Sequence, residues 1–202
     1  MLWLNKRPLF WILVGAILLH FWLAISSLVD DSPTMDEQNH IARGLTILRT
    51  GDARLSLEHP PFTNSLSTLP LLLMPDINLP TDHESFQFPD PNWYEYANQL
   101  MWLYDNDVTK MVFLARVPIV FLTLGLALVG FHFGSAFWQK RAGYFAALFL
   151  LLDPNILAHG RYSTTDLGGM LFIFLGTFLL WRFWQEPTWS IKHFLWATFG
   201  WG

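Results

Sequence analysis

The sequence predicts an all-α fold: a polytopic transmembrane helical bundle with amphipathic helices beside the membrane on its outer side. Composition and pattern lead there together. Hydrophobic residues make up 52% of the 202 and charged residues only 14%, against about 25% charged in an ordinary soluble domain. Eleven Trp and eighteen Phe suit lipid-facing surfaces and the aromatic belts of membrane interfaces. Uncharged stretches also recur at bilayer-spanning length. A net charge of −4 without a long basic run gives nucleic acid no footing as a partner. The lack of cysteine excludes disulfides, thiolate metal sites and thiol nucleophiles.

The first span covers residues 8–29, "PLFWILVGAILLHFWLAISSLV", long enough at about 1.5 Å per residue to cross roughly 30 Å of hydrocarbon. Lys6 and Arg7 before it and "AISS" near its end raise a cleaved signal peptide as an alternative, but the apolar run exceeds a usual signal core, which favours a retained helix. The second span is placed at about 112–137, the third at 142–158 and the fourth at 166–184. "IKHFLWATFGWG" reads as the start of a fifth at 190–202. The chain is therefore expected to be the N-terminal portion of a longer protein, needing further spans or a partner subunit. Lys6, Arg7, Lys140, Arg141, Arg182 and Lys192 fall on one side if the spans alternate, and the positive-inside rule makes that side cytoplasmic. The loop 30–110 and the short "HGRYSTTD" loop then face outward together.

Within that outer loop, residues 34–37 spell the capping box T-x-x-E. Ile41, Leu45 and Leu48 follow at helical spacing, so a short amphipathic helix is expected along the membrane surface, ending at "RTGD". "FTNSLSTLPLLLMP" reads as a second interfacial helix. Residues 76–107, rich in Asp, Pro, Asn and aromatics, read as an irregular loop with one short helix around "WYEYANQLMWLY".

The candidate chemistry lies in these outer stretches. Asp36 and Glu37 favour the positive end of the helix they open, and Glu37 caps it. That leaves Asp36 to project and serve as a general base toward an acceptor hydroxyl. Glu58 and His59 precede a proline pair that stiffens the chain and denies helix at His59. They admit two readings: a hydrogen-bonded bend, or ligands for a divalent metal with Asp36, His40 or Asp166, without any recognised metal-binding spacing. In "DPNILAHGRYSTTD", ionisable groups close to the bilayer count as a functional hypothesis. There Asp166 opens a helix that Ser163, Thr164 and Thr165 are placed to cap. His159 and Arg161 could meet an anionic group at that helix start, or Arg161 could be a snorkelling anchor. Arg116 carries the same ambiguity.

Taken in order, a first membrane helix, "DE" opening an outer helix, "GD" at its end, "EHPPF", and a later "HGRYSTTD" at a helix head resemble the membrane glycosyltransferases of the GT-C fold. The likeness is greatest to the protein O-mannosyltransferases and the lipid A aminoarabinose transferases. It runs from about residue 8 to 185 and covers only the N-terminal part of such an enzyme. The resemblance implies transfer of a sugar from a polyprenyl-phosphate donor to a protein, lipid or glycan hydroxyl on the outer face of a membrane, taken as the bacterial inner membrane. It places the catalytic acid at Asp36 with Glu37 beside it, a second cleft acid at Glu58 and a third at Asp166. His59, Arg161, His159 and Arg116 are the candidates for the donor phosphate. The rival readings are a non-catalytic membrane scaffold or subunit and a transporter fragment. A transporter would carry polar residues deep in its spans, whereas here they gather at one interface.

Overall fold

A computed structural model describes residues 7–29 and 31–185 and, beyond them, Ile191, Lys192, Leu195 and Thr198. Among the described residues the secondary structure is helical, with no strand. Three helices are long and apolar enough to cross a membrane: residues Pro8–Leu28 of α1 (Arg7–Leu28), α6 (Val108–Phe137) and α9 (Asp166–Gln185). The chain divides into two compact units. One gathers the described residues of Met1–Ala24, Val120–Gly160 and Asp166–Gly202; the other holds Ile25–Ile119 and Arg161–Thr165.

The first unit has a thin core of small and branched residues, Ala16, Ala127, Ala147 and Leu151, packed by Leu13, Ile17, Leu124 and Phe131. Phe133, Phe174, Phe178 and Trp181 form an aromatic cluster joining α6 to α9. Its outside is apolar too: Trp11, Leu18, Trp22, Phe149 and Ile173 are exposed, the inside-out pattern of helices whose solvent is hydrocarbon.

The third predicted span takes a different form. Residues 142–158 fall in two helices that meet at Asp153–Pro154, α7 (Lys140–Leu152) and α8 (Pro154–His159). Pro154 has no N–H to continue the ladder, and the Asp153 side chain takes the Asn155 and Ile156 amides at 2.9 and 3.1 Å. Asn155 N–H would otherwise bond Leu151 O, so the Leu151 carbonyl is left over. The imidazole of His20, buried on α1, satisfies it with an Nδ1–H···O bond of 3.0 Å. The second span begins at Val108 rather than 112, and most of the fifth, 190–202, lies outside the described residues.

The second unit is built around α2 (Met35–Thr50). Thr34 caps it as the sequence predicts: Glu37 N–H donates to Thr34 Oγ1 at 3.3 Å and Thr34 N–H to Glu37 Oε2 at 2.9 Å. Gly51 ends it at φ 74°, the left-handed cap that glycine adopts without strain. The helix does not lie on a surface, however. Every residue from Glu37 to Thr46 is buried. One side meets α3 (Pro61–Thr68), a 3₁₀ turn at Leu69–Leu73 and α5 (Trp93–Asn98). Its apolar residues Ile41, Ala42 and Leu45 join Leu55, Leu71, Tyr96, Leu100 and Met111 in one core.

Gly44 permits the close approach of α2 to α3: a Cβ there would stand 2.1 Å from Asn64 O. The Arg49 guanidinium gathers the carbonyls of Leu71, Met74 and Ile77, and Tyr96 and Thr46 share a hydroxyl bond of 2.9 Å. Residues 76–107 are thus not an irregular loop. With α4 (Glu84–Gln87), α5 and a π turn at Gln99–Leu103 they supply Ile77, Phe86, Tyr96, Ala97, Leu100 and Met101 to that core.

Candidate functional site

The site is assembled from the start of α2 outward. Glu37 is completely buried, as is its partner Arg116 on α6. Arg116 Nε donates to Oε1 and Nη2 to Oε2, both at 2.8 Å, the bidentate geometry that a planar guanidinium allows. Glu37 Oε1 also accepts the Ser163 amide at 2.9 Å, and Oε2 the Thr34 amide, which fills its acceptor sites. The remaining Arg116 donors reach the Asp31 and Ser32 carbonyls at 2.9 and 3.0 Å. Burial alone would raise the Glu37 carboxyl's proton affinity. The Arg116 hydrogen bonds, the Thr34 and Ser163 amides and the guanidinium charge outweigh it, and hold Glu37 below the ordinary carboxylate range.

This brace ties together stretches 126 residues apart. Ser163 Oγ pairs with Ser67 Oγ of α3 at 3.0 Å. The Tyr162 ring lies between two guanidiniums, with Arg116 at 5.2 Å and Arg161 at 4.8 Å from its centroid. Arg161, part-exposed, forms an ion pair with Asp31. The "DE" stretch and the "GRYST" stretch therefore meet within one unit.

Beside this locked pair the neighbouring acid differs. Asp36 is exposed and makes no side-chain hydrogen bond or ion pair among the described residues. One and two turns along the same face stand His40 and Arg43. His40 is buried, and its Nδ1–H donates to Asn64 Oδ1 at 3.0 Å. Burial first, and then its charge interactions with His59 and Arg43, lower its proton affinity below the ordinary imidazole value. The His59 ring meets the His40 ring edge-on at 5.1 Å between centroids.

Arg43 donates from Nη2 to Glu58 Oε2 at 3.1 Å and lies over the Trp93 ring at 4.8 Å. Four buried polar atoms here lack a hydrogen-bond partner among the described residues: Asn39 Oδ1, Arg43 Nε, Ser56 Oγ and Asn64 Nδ2. Such a concentration is unusual, because nearly all buried polar atoms are paired. A cleft of about 400 Å³ opens alongside, lined by Arg54, Leu57, Glu58, Asp90, Asn92 and Trp93, within the roughly 300–1,000 Å³ range of small-molecule sites.

Set against the sequence expectations, Asp36, Glu37, Glu58, His59, Arg116 and Arg161 do share one unit, whereas His159 and Asp166 belong to the other, at the end of α8 and the start of α9. Glu37 and Arg116 are paired with each other out of reach of solvent. No metal set forms: among the described residues no three His, Asp or Glu side chains converge to hold an ion. Glu58 turns to Arg43, and His59 to His40.

Arg43, Asn64, Trp93 and Tyr162 were not singled out from the sequence. Arg43 alone had a signal, standing seven residues after Asp36 and three after His40 on a helix already assigned. Compared with known protein families, curated proteins and solved structures, the chain matches none, so a functional reading rests on these residues alone.

Proposed function

We propose that the chain is the membrane-embedded catalytic part of a glycosyltransferase that moves a sugar from a polyprenyl-phosphate donor to an acceptor hydroxyl at the outer face of a bilayer. The observation that carries this reading is the pairing of an exposed acid with a locked one. Asp36 stands at the start of a capped helix whose next residue is fixed by a buried, fully satisfied ion pair. A carboxylate held this way keeps its position and remains open to water and substrate, the requirement for a general base.

In the reaction, the acceptor O–H proton passes to the Asp36 carboxylate as the acceptor oxygen bonds to the sugar's C1. The bond from C1 to the phosphate oxygen breaks on the opposite face, its electron pair leaves with the lipid phosphate, and the configuration inverts. Negative charge grows on that phosphate and needs a cation. Arg116 is committed to Glu37. Arg161, at the part-exposed end of the same brace, could exchange Asp31 for the phosphate. The cleft beside Glu58 combines a Trp93 ring with carboxylate, amide and guanidinium groups, a lining that suits a polyol, since an aromatic face takes C–H surface while the polar groups take hydroxyls. The exposed Leu57, Phe62, Leu69 and Leu73 of the same unit offer apolar surface suited to a lipid interface.

The test is saturable binding of a radiolabelled polyprenyl-phosphate sugar to the full-length protein in nanodiscs. Binding that saturates, and weakens when Arg161 is changed to Gln, is the expected result. A scaffold or subunit would show only lipid partitioning that rises linearly with donor.

A further inference from the structure

We propose that a cavity between the ends of α6, α7 and α9 receives the phosphate-bearing head group of an anionic phospholipid. It lies wholly within the first unit, is independent of the glycosyl-transfer reading, and encloses about 440 Å³. Its polar lining is His132 and Ser135 from α6, Lys140 from α7 and Arg182 and Gln185 from α9, with Ala136, Phe178 and Trp181 as its apolar wall.

Charge is the first argument. Lys140 and Arg182 come from different helices, both are exposed, and neither makes an ion pair with a described residue. The described lining contains no carboxylate. The fold thus brings two like charges to one concavity without an acid to balance them, an arrangement that an anion stabilises.

The start of α7 adds a second. Its N-cap, Gln139, gives no side-chain hydrogen bond, so the first amides of the helix have no side-chain acceptor there. Lys140 occupies the first position of this end although a basic residue is unfavourable at the positive pole of a helix. An anion between its ammonium and the amides reverses the sign of that interaction. A third donor is at hand: Ser135 Oγ lines the cavity, is buried and has no partner among the described residues.

The apolar wall selects a lipid over free phosphate. Trp181 stacks on Phe137 with centroids 4.6 Å apart and packs against Phe178. Trp138 and Trp184 are exposed close by, the aromatic belt expected where head groups meet acyl chains. Basic pockets between membrane helices on the side carrying the Lys and Arg surplus are suited to anionic head groups. Inorganic phosphate would use the cations and leave the wall without a function.

The experiment is native mass spectrometry of the full chain released from detergent with equimolar phosphatidylglycerol and phosphatidylcholine. Phosphatidylglycerol should be retained in excess. Removing each lining cation should cut that preference about fivefold, so the Lys140→Gln, Arg182→Gln double variant should bind the two lipids almost equally. Arg141→Gln, exposed but outside the lining, should keep the preference. Equal binding by the wild type would overturn the proposal, as would an unaltered double variant. An equal loss in Arg141→Gln would show general surface charge rather than a site, and displacement of phosphatidylglycerol by millimolar inorganic phosphate would show an anion site without lipid selectivity; either result overturns the assignment.

Discussion

Asp36 and Glu37 are adjacent acids with opposite fates, and the difference comes from what α6 and the "GRYST" stretch bring to the second of them. Four donors converge on Glu37; Asp36 faces out. Breaking a buried pair from one side leaves the other charge uncompensated, at a cost of about 3–5 kcal/mol. Glu37→Gln and Arg116→Gln should each lower thermal stability in detergent by that order, while Asp36→Asn should leave it nearly unchanged. Arg116→Lys should fail to rescue, because an ammonium cannot span both carboxylate oxygens and two carbonyls in a plane. His40 sets a pH dependence. Its proton affinity in the folded unit lies below the ordinary 6.5, so the unfolded chain binds more protons. Its contribution to stability is therefore complete above that pH and declines as pH falls below it. A melting series from pH 7.5 to 5.5 should show falling stability, with a flatter slope in His40→Gln. The capping box was readable in four consecutive letters. The Arg116 partnership was not, since its halves lie 79 residues apart and a surface anchor and a buried brace look alike in sequence.

At the scale of elements, two close fits decide the geometry. The first is α2 against α3 at Gly44, where a methyl group would meet the Asn64 carbonyl. Gly44→Ala should push the helices apart, loosen the His40–Asn64 bond and cost about 3 kcal/mol, the upper range for overpacking; a melting curve with the donor-binding assay would register both effects. The second is the break between α7 and α8, bridged by His20. Replacing His20 by Leu leaves the Leu151 carbonyl without its donor and should cost about 1–3 kcal/mol, read as a lower melting temperature in detergent. Helix α2 was legible because its cap, its period and its terminal glycine agreed. Its environment was not, since the spacing of Ile41 and Leu45 is the same for a helix on a membrane as for one with a second polar face inside protein. The break within the third span was hidden for a related reason. Asp153-Pro154 lies in an apolar run, and hydropathy alone gives no weight to a missing N–H or a capping carboxylate.

For the molecule as a whole, the three long apolar helices and the exposed Trp11, Leu18, Trp22 and Phe149 make contact with lipid or detergent a condition of solubility. The chain should remain in the pellet when membranes are washed at alkaline pH and enter solution only with detergent. The helical class followed from composition and span length alone. The meeting of the two polar stretches required the fold. We propose above all that Asp36 is the base of a lipid-linked sugar transfer, held in place by the Glu37–Arg116 brace. The most direct measurement is the transfer rate of the full-length Asp36→Asn protein, with expression, stability and saturable donor binding matched to the wild type. A loss of about a hundredfold or more with donor binding retained is expected; transfer at the wild-type rate would rule Asp36 out as the base.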